Sequence, residues 1–144
     1  MKILFDTSTL VAALVKPHPM HTRAFQWLKR SRSHEFDMII SSHTLAELYA
    51  VLTSLPLSPR ITPDMSWRLI NENVIATGSI IALSSSDYIS VIRHLQNIGF
   101  SGGIIYDALI LKAAIKSGAT HLLTFNASDF KRIDMNSEIQ IIEP

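Results

Sequence analysis

The stretch "SGGIIYDALILKAAIKSGATHLLTFNASDF", Ser101 to Phe130, decides the fold. Two glycines lead into a helix whose first turns are almost wholly apolar, and Gly118 ends it. "THLLTF" then reads as a short strand, apolar in its middle and bounded by polar residues. Inside the apolar helix, Asp107 is the only charge before Lys112. A lone carboxylate is expensive to bury, so a partner for Asp107 is expected.

The same alternation runs outward in both directions. "KILF", Lys2 to Phe5, is a strand ending at Asp6, and a helix starts near Ser8. A helix from Met20 to Arg32 precedes the strand "DMIIS", and "HTLAELYAVLTSL" is a helix stopped by Pro56. The connector "PLSPRITP" leads to a helix through Trp67 and Leu69, the strand "SIIALS" and a helix from Ser86 to Ile98. "TFNASD" reads as a loop and "IQIIE" as the closing strand. Short, continuous, β-branched strands between helices predict an α/β fold: one domain over residues 1–144, a three-layer sandwich whose central sheet is mainly parallel and buried on both faces. Ligands in such folds gather beyond the carboxyl ends of the strands, near the switch in strand order.

Composition narrows the function. The chain has 144 residues, 47% hydrophobic and 17% charged, enough for one proper core and unlike a disordered segment. No apolar run approaches the ~20 residues of a membrane span, and "MKILFDTSTL" does not read as a signal peptide. No membrane association and a cytoplasmic location are expected. With no cysteine there is no disulfide, thiolate metal site or cysteine nucleophile. A net charge of +1 lacks the basic excess of a sequence-independent nucleic-acid binder. The one basic cluster, "LKRSR", is read as cations at a helix C-terminus in preference to a phosphate patch.

Four carboxylates stand in suggestive places: Asp6, Glu47, Asp107 and Asp129. If they converge, they repel, and a hard cation that takes oxygen ligands relieves the conflict. Each also has a local explanation. Asp6 is a candidate helix cap, "TLAE" matches a capping box for Glu47, Asp107 suits a helix dipole, and Asp129 suits a turn. "HTLAE" lacks the second histidine of a zinc-protease helix, so His43 reads as a surface residue, and no histidine is given a role. "FDTST" lacks the second aspartate of an aspartyl-nucleophile phosphatase, and no glycine-rich phosphate loop follows any strand.

"ILFDTSTLVAAL", "SSHTLAELYAVLTSLP" and the opening stretch together resemble the PIN domain, and most closely the VapC-like toxins of prokaryotic toxin–antitoxin pairs. The resemblance covers nearly the whole chain. It implies a PIN-like fold and a ribonuclease that depends on magnesium or manganese. By that resemblance Asp6, Glu47 and Asp107 take the acidic positions, with Asp6 and Asp107 as the metal ligands. Ser8, Thr124 and Asn126 take supporting positions. Where many relatives carry a fourth aspartate this chain has Asn126, and the nearest carboxylate is Asp129, which is left to act through water or through a ligand. The resemblance further implies an RNA substrate, a small antitoxin partner and a homodimer, with Trp27 or Trp67 at the interface. The rival expectation is a degenerate PIN-like module that binds protein or RNA without cutting it.

Overall fold

In the computed structural model, which describes residues 1–133, 135 and 138–144, five parallel strands form one sheet in the order β3-β2-β1-β4-β5. The first half of the chain runs β1 (Lys2–Phe5), α1 (Thr7–Leu14), α2 (His21–Arg32), β2 (Asp37–Ser41), α3 (Ser42–Ser54) and α4 (Pro63–Ile70). A π-helical turn, Asn71–Ile75, extends α4. The second half runs β3 (Ser79–Ile81), α5 (Ser85–Ile98), α6 (Ile104–Ser117), β4 (His121–Leu123), α7 (Ala127–Ile133) and β5 (Gln140–Ile142).

The two-residue period of the strands divides the core. Ile3, Phe5, Met38, Ile40 and Leu123 face one side and pack with Leu10 of α1, Leu28 of α2, and Leu48 and Leu52 of α3. Leu4, Ile39 and Leu122 face the other, against Val91 of α5, Leu109 and Ile110 of α6, and Phe130 and Ile133 of α7. The result is the expected three-layer sandwich. The two edge strands differ from expectation: β3, with Ile80 44% exposed, and β5 hold no fully buried residue, so neither is buried on both faces.

Local chemistry sets the boundaries. Ser84 and Asp87 form a reciprocal capping box at the start of α5. Gly99 and Gly118 end α5 and α6 with φ of 77° and 71°, the left-handed region that costs an L side chain most. Pro63 opens α4 behind the Thr62 cap, whose hydroxyl accepts from the Met65 N–H. Lys29, Arg30 and Arg32 lie in the last turn of α2, as read from the sequence. Arg30 pairs with Glu35 at 2.7 Å and lies over the Trp27 ring.

Two local expectations are corrected. The cap of α3 is Ser41, whose hydroxyl accepts from the His43 N–H, so Glu47 lies in the second turn and "TLAE" is not a capping box. "NASDF" is not a loop: it begins α7, whose buried Phe130 and Ile133 supply packing that turn-prone residues do not reveal.

Gly78, just before β3, meets the sheet closely. A Cβ there would stand 2.6 Å from Ile40 Cδ1 and 3.1 Å from the Val74 carbonyl oxygen. Gly78→Ala is expected to destabilise the fold by about 1–2 kcal/mol through overpacking. Urea unfolding checks this as a lower midpoint at unchanged slope.

Candidate active site

The strand order reverses at β1: the chain builds outward through β2 and β3, then crosses back to place β4 on the other side. β1 and β4 pair with Phe5 opposite Leu123, so Asp6 and Thr124 leave the sheet side by side at this switch point. The Asp6 N–H donates to the Leu123 carbonyl at 3.0 Å. Asp6 occupies the cap position of α1, yet its side chain makes no capping bond. Its Oδ2 instead accepts from the Ser8 hydroxyl at 2.9 Å and the Thr124 hydroxyl at 2.8 Å.

Those hydroxyls are themselves polarised. The Phe125 N–H donates to Ser8 Oγ at 3.1 Å, and the Asn126 N–H donates to Thr124 Oγ1 at 3.0 Å. Two amide-to-hydroxyl-to-carboxylate chains therefore converge on one oxygen of a buried aspartate. Both hydroxyl protons are spent on Asp6, so the 3.3 Å approach of Ser8 to Thr124 adds no further bond.

Asp6, Glu47 and Asp107 line one crevice of about 620 Å³, together with Ser8 and Asn126. The Asp107 carboxyl is pushed up to about 6, chiefly by burial, then by the charges of Asp6, Asp129 and Glu47. Burial also raises Glu47, opposed by His43 and reinforced by Asp6. The fold thus brings three carboxylates from α1's entry, α3 and α6 into mutual electrostatic reach. Asp129 joins them through its charge but does not line the crevice; it lies on α7 with its carboxylate 3.8 Å from Arg132.

A model of the PIN domain matches residues 3–136. The chain belongs to the PIN domain family. Among its relatives, ribonuclease VapC27 of Mycobacterium tuberculosis is 33% identical over 114 residues, covering 79% of this chain and 77% of that protein. Ribonuclease VapC40 of the same species is 32% identical over 114 residues, covering 79% of each. The fold recurs in VapBC2 from Rickettsia felis, solved bound to a DNA fragment from its promoter, with a TM-score of 0.69 and 24% identity over 99% of this chain and 98% of that one. It recurs too in VapC20 of Mycobacterium tuberculosis, a sarcin-ricin loop cleaving toxin, with a TM-score of 0.69 and 15% identity over 90% and 94% of the two chains.

On this PIN domain the structure adds residues that sequence reading passed over. Arg23 of α2 reaches the crevice, its guanidinium 5.8 Å from the Phe125 ring centre and donating to the Pro144 carbonyl. Thr7 lines the crevice with a buried hydroxyl that has no hydrogen-bond partner among the described residues. His43, set aside as a surface residue, lies 3.0 Å from the Glu47 carboxylate. The i,i+4 spacing of "HTLAE" already allows the His43–Glu47 contact, whereas Arg23 meets Phe125 and Pro144 only through tertiary packing that no sequence spacing announces.

Proposed function

We propose that this chain is an endoribonuclease that uses magnesium or manganese, the toxin of a toxin–antitoxin pair. One observation carries the reading: a half-buried Asp107 held near 6 by burial and by three other carboxylates, in a crevice at the sheet's switch point. The ribonuclease names of VapC27 and VapC40 support the substrate class. Structures of toxin–antitoxin complexes, such as one from Klebsiella pneumoniae at a TM-score of 0.64, support the partner class through the shared fold.

The donor set fits a hard cation. All the acidic groups offer oxygen, the chemistry magnesium and manganese prefer. Among the described residues no three acidic or histidine side chains already form a metal cage. Magnesium tolerates that, since it keeps several waters and takes one or two carboxylates. Asp6 and Asp107 would hold the ion, which when bound supplies Lewis acidity toward a phosphoryl oxygen and toward water.

The chain's own groups supply the rest. Ser8 and Thr124 occupy Asp6 Oδ2 and thereby fix which way the carboxylate faces. Glu47 takes the proton of the attacking water onto its carboxylate, a task suited to a group whose affinity for protons is raised. Asn126 offers an amide without adding negative charge where the substrate phosphate approaches. Asp129, from α7, adds negative charge that raises the proton affinity of Asp107.

Titrating manganese and magnesium against labelled RNA tests the reading: cleavage appears with the cation and stops with chelator. RNA that is bound but uncut with both cations supports the degenerate binding module, which Asn126 favours. A homodimer belongs to the same proposal. Trp67 on α4 is 55% exposed, whereas Trp27 packs against Phe36, which supports Trp67 over Trp27 as the interface tryptophan. Sedimentation at micromolar concentration should give the dimer mass, and a pure monomer removes that claim. Among the described residues no helix is long and apolar enough to cross a membrane.

A further inference from the structure

His43 Nε2 lies 3.0 Å from Glu47 Oε1, one helical turn away on α3. The opposite partner of the imidazole is an aromatic ring: His43 stacks on Tyr106 with centroids 5.5 Å apart and planes 3° from parallel. Tyr106 is the residue before Asp107 in the first turn of α6. One side chain therefore bridges the two helices that carry Glu47 and Asp107. We propose that His43 is a positioning residue: clamped by Tyr106, it holds the Glu47 carboxylate in the crevice opposite Asp107.

The physical case rests on side-chain freedom. A glutamate on a helix has three rotatable bonds and, when half-exposed, samples several rotamers. Here the Glu47 side chain is 37% exposed and lies within the repelling field of Asp6 and Asp107. Left alone, it would swing outward to solvent. An imidazole stacked parallel to Tyr106 has a restricted ring angle, and its nitrogen offers the Glu47 carboxylate a counter-dipole of fixed direction. An ordinary exposed i,i+4 pair has no such third member and holds its partners only weakly. Misplacing a reacting group by about 1 Å costs far more, on the order of a hundredfold in rate.

The inference rests on the ribonuclease reading, and its test separates the two. Steady-state cleavage of labelled RNA in saturating manganese is measured for wild type, His43→Ala, His43→Gln and Tyr106→Leu. His43→Ala is expected to lower kcat by about 10–100-fold, the usual cost of losing a group that orients a ligand or base, with KM unchanged. His43→Gln, which restores an N–H near the Nε2 position, should recover most of the loss, and Tyr106→Leu should lose activity as His43→Ala does. A second readout needs neither metal nor RNA. At one fixed pH, the His43 ring protons should be shifted upfield by the Tyr106 ring and lose that shift in Tyr106→Leu. The Glu47 carboxyl carbon resonance should move in His43→Ala and return in His43→Gln. Unchanged kcat in His43→Ala, or a raised KM at constant kcat, overturns the proposal, the latter by making the pair an RNA-contacting surface. An unshifted His43 ring or an indifferent Glu47 resonance overturns it as well. Wild type that cuts no RNA fails the ribonuclease reading instead, while the resonances still decide whether His43 positions Glu47.

Discussion

Asp6→Asn and Asp107→Asn are each expected to reduce metal-dependent RNA cleavage by well over about tenfold while leaving the fold intact. Asparagine keeps the shape of aspartate and removes its charge, so the loss reports on cation binding rather than packing. For Asp6 the fold should survive because an amide oxygen can still accept from Ser8 and Thr124. For Asp107 it should survive because the change relieves a repulsion. Loss of a group that merely orients a ligand costs ~10–100-fold, so direct ligands should exceed that range. Circular dichroism checks the fold, and a labelled-RNA assay reads the rate. Residual activity above about a hundredth of wild type in one of the variants would argue against its aspartate as a direct ligand.

The second large effect is on stability. A cation that binds only the folded state adds ~2.7 kcal/mol at a hundredfold excess over its dissociation constant. The same carboxylate crowding sets the behaviour without metal. Asp107 is raised from 3.8 to about 6, so between those values the folded state binds more protons than the unfolded chain. Stability of the metal-free protein therefore falls as pH rises through that window, and the penalty is complete above about 6. Because the group is half-exposed, solvent screening holds the penalty to about 1–2 kcal/mol. Asp107→Asn should consequently melt a few degrees higher than wild type at neutral pH without metal, and about the same at pH near 4. It should also gain less from manganese. An aspartate that merely faces the helix dipole predicts the opposite: the variant melts lower and wild type ignores the cation. Thermal melts of both proteins, with and without manganese, at neutral and acid pH separate the two cases.

Alternation of short apolar strands with amphipathic or buried helices is a local property, written in residue types and spacing. It sufficed for the α/β class, the positions of all five strands and the expectation that their sheet is parallel, as the register confirms. The apolar surround of Asp107 marked it as an unusual carboxylate, and the structure sets it half-buried within the field of three other carboxylates. Strand ends were less legible: "SIIALS" and "THLLTF" each shorten to three residues, because pairing stops where the neighbouring strand stops.

What the chain alone left open is everything that depends on which segments become neighbours. "TLAE" satisfies a capping box on paper, but Ser41 begins α3 earlier and releases Glu47 to the crevice. α7 forms because Phe130 and Ile133 find the α6 side of the core, a gain absent from the turn-like "NASDF" itself. Asp6 meets Thr124 across 118 residues of sequence only because β1 and β4 are adjacent. His43 meets Tyr106 only because α3 and α6 approach across that same end of the sheet. Residue spacing reports which side chains are buried, since burial follows local periodicity. Which buried charges share a crevice follows from strand order, and that is decided by the packing of the whole chain.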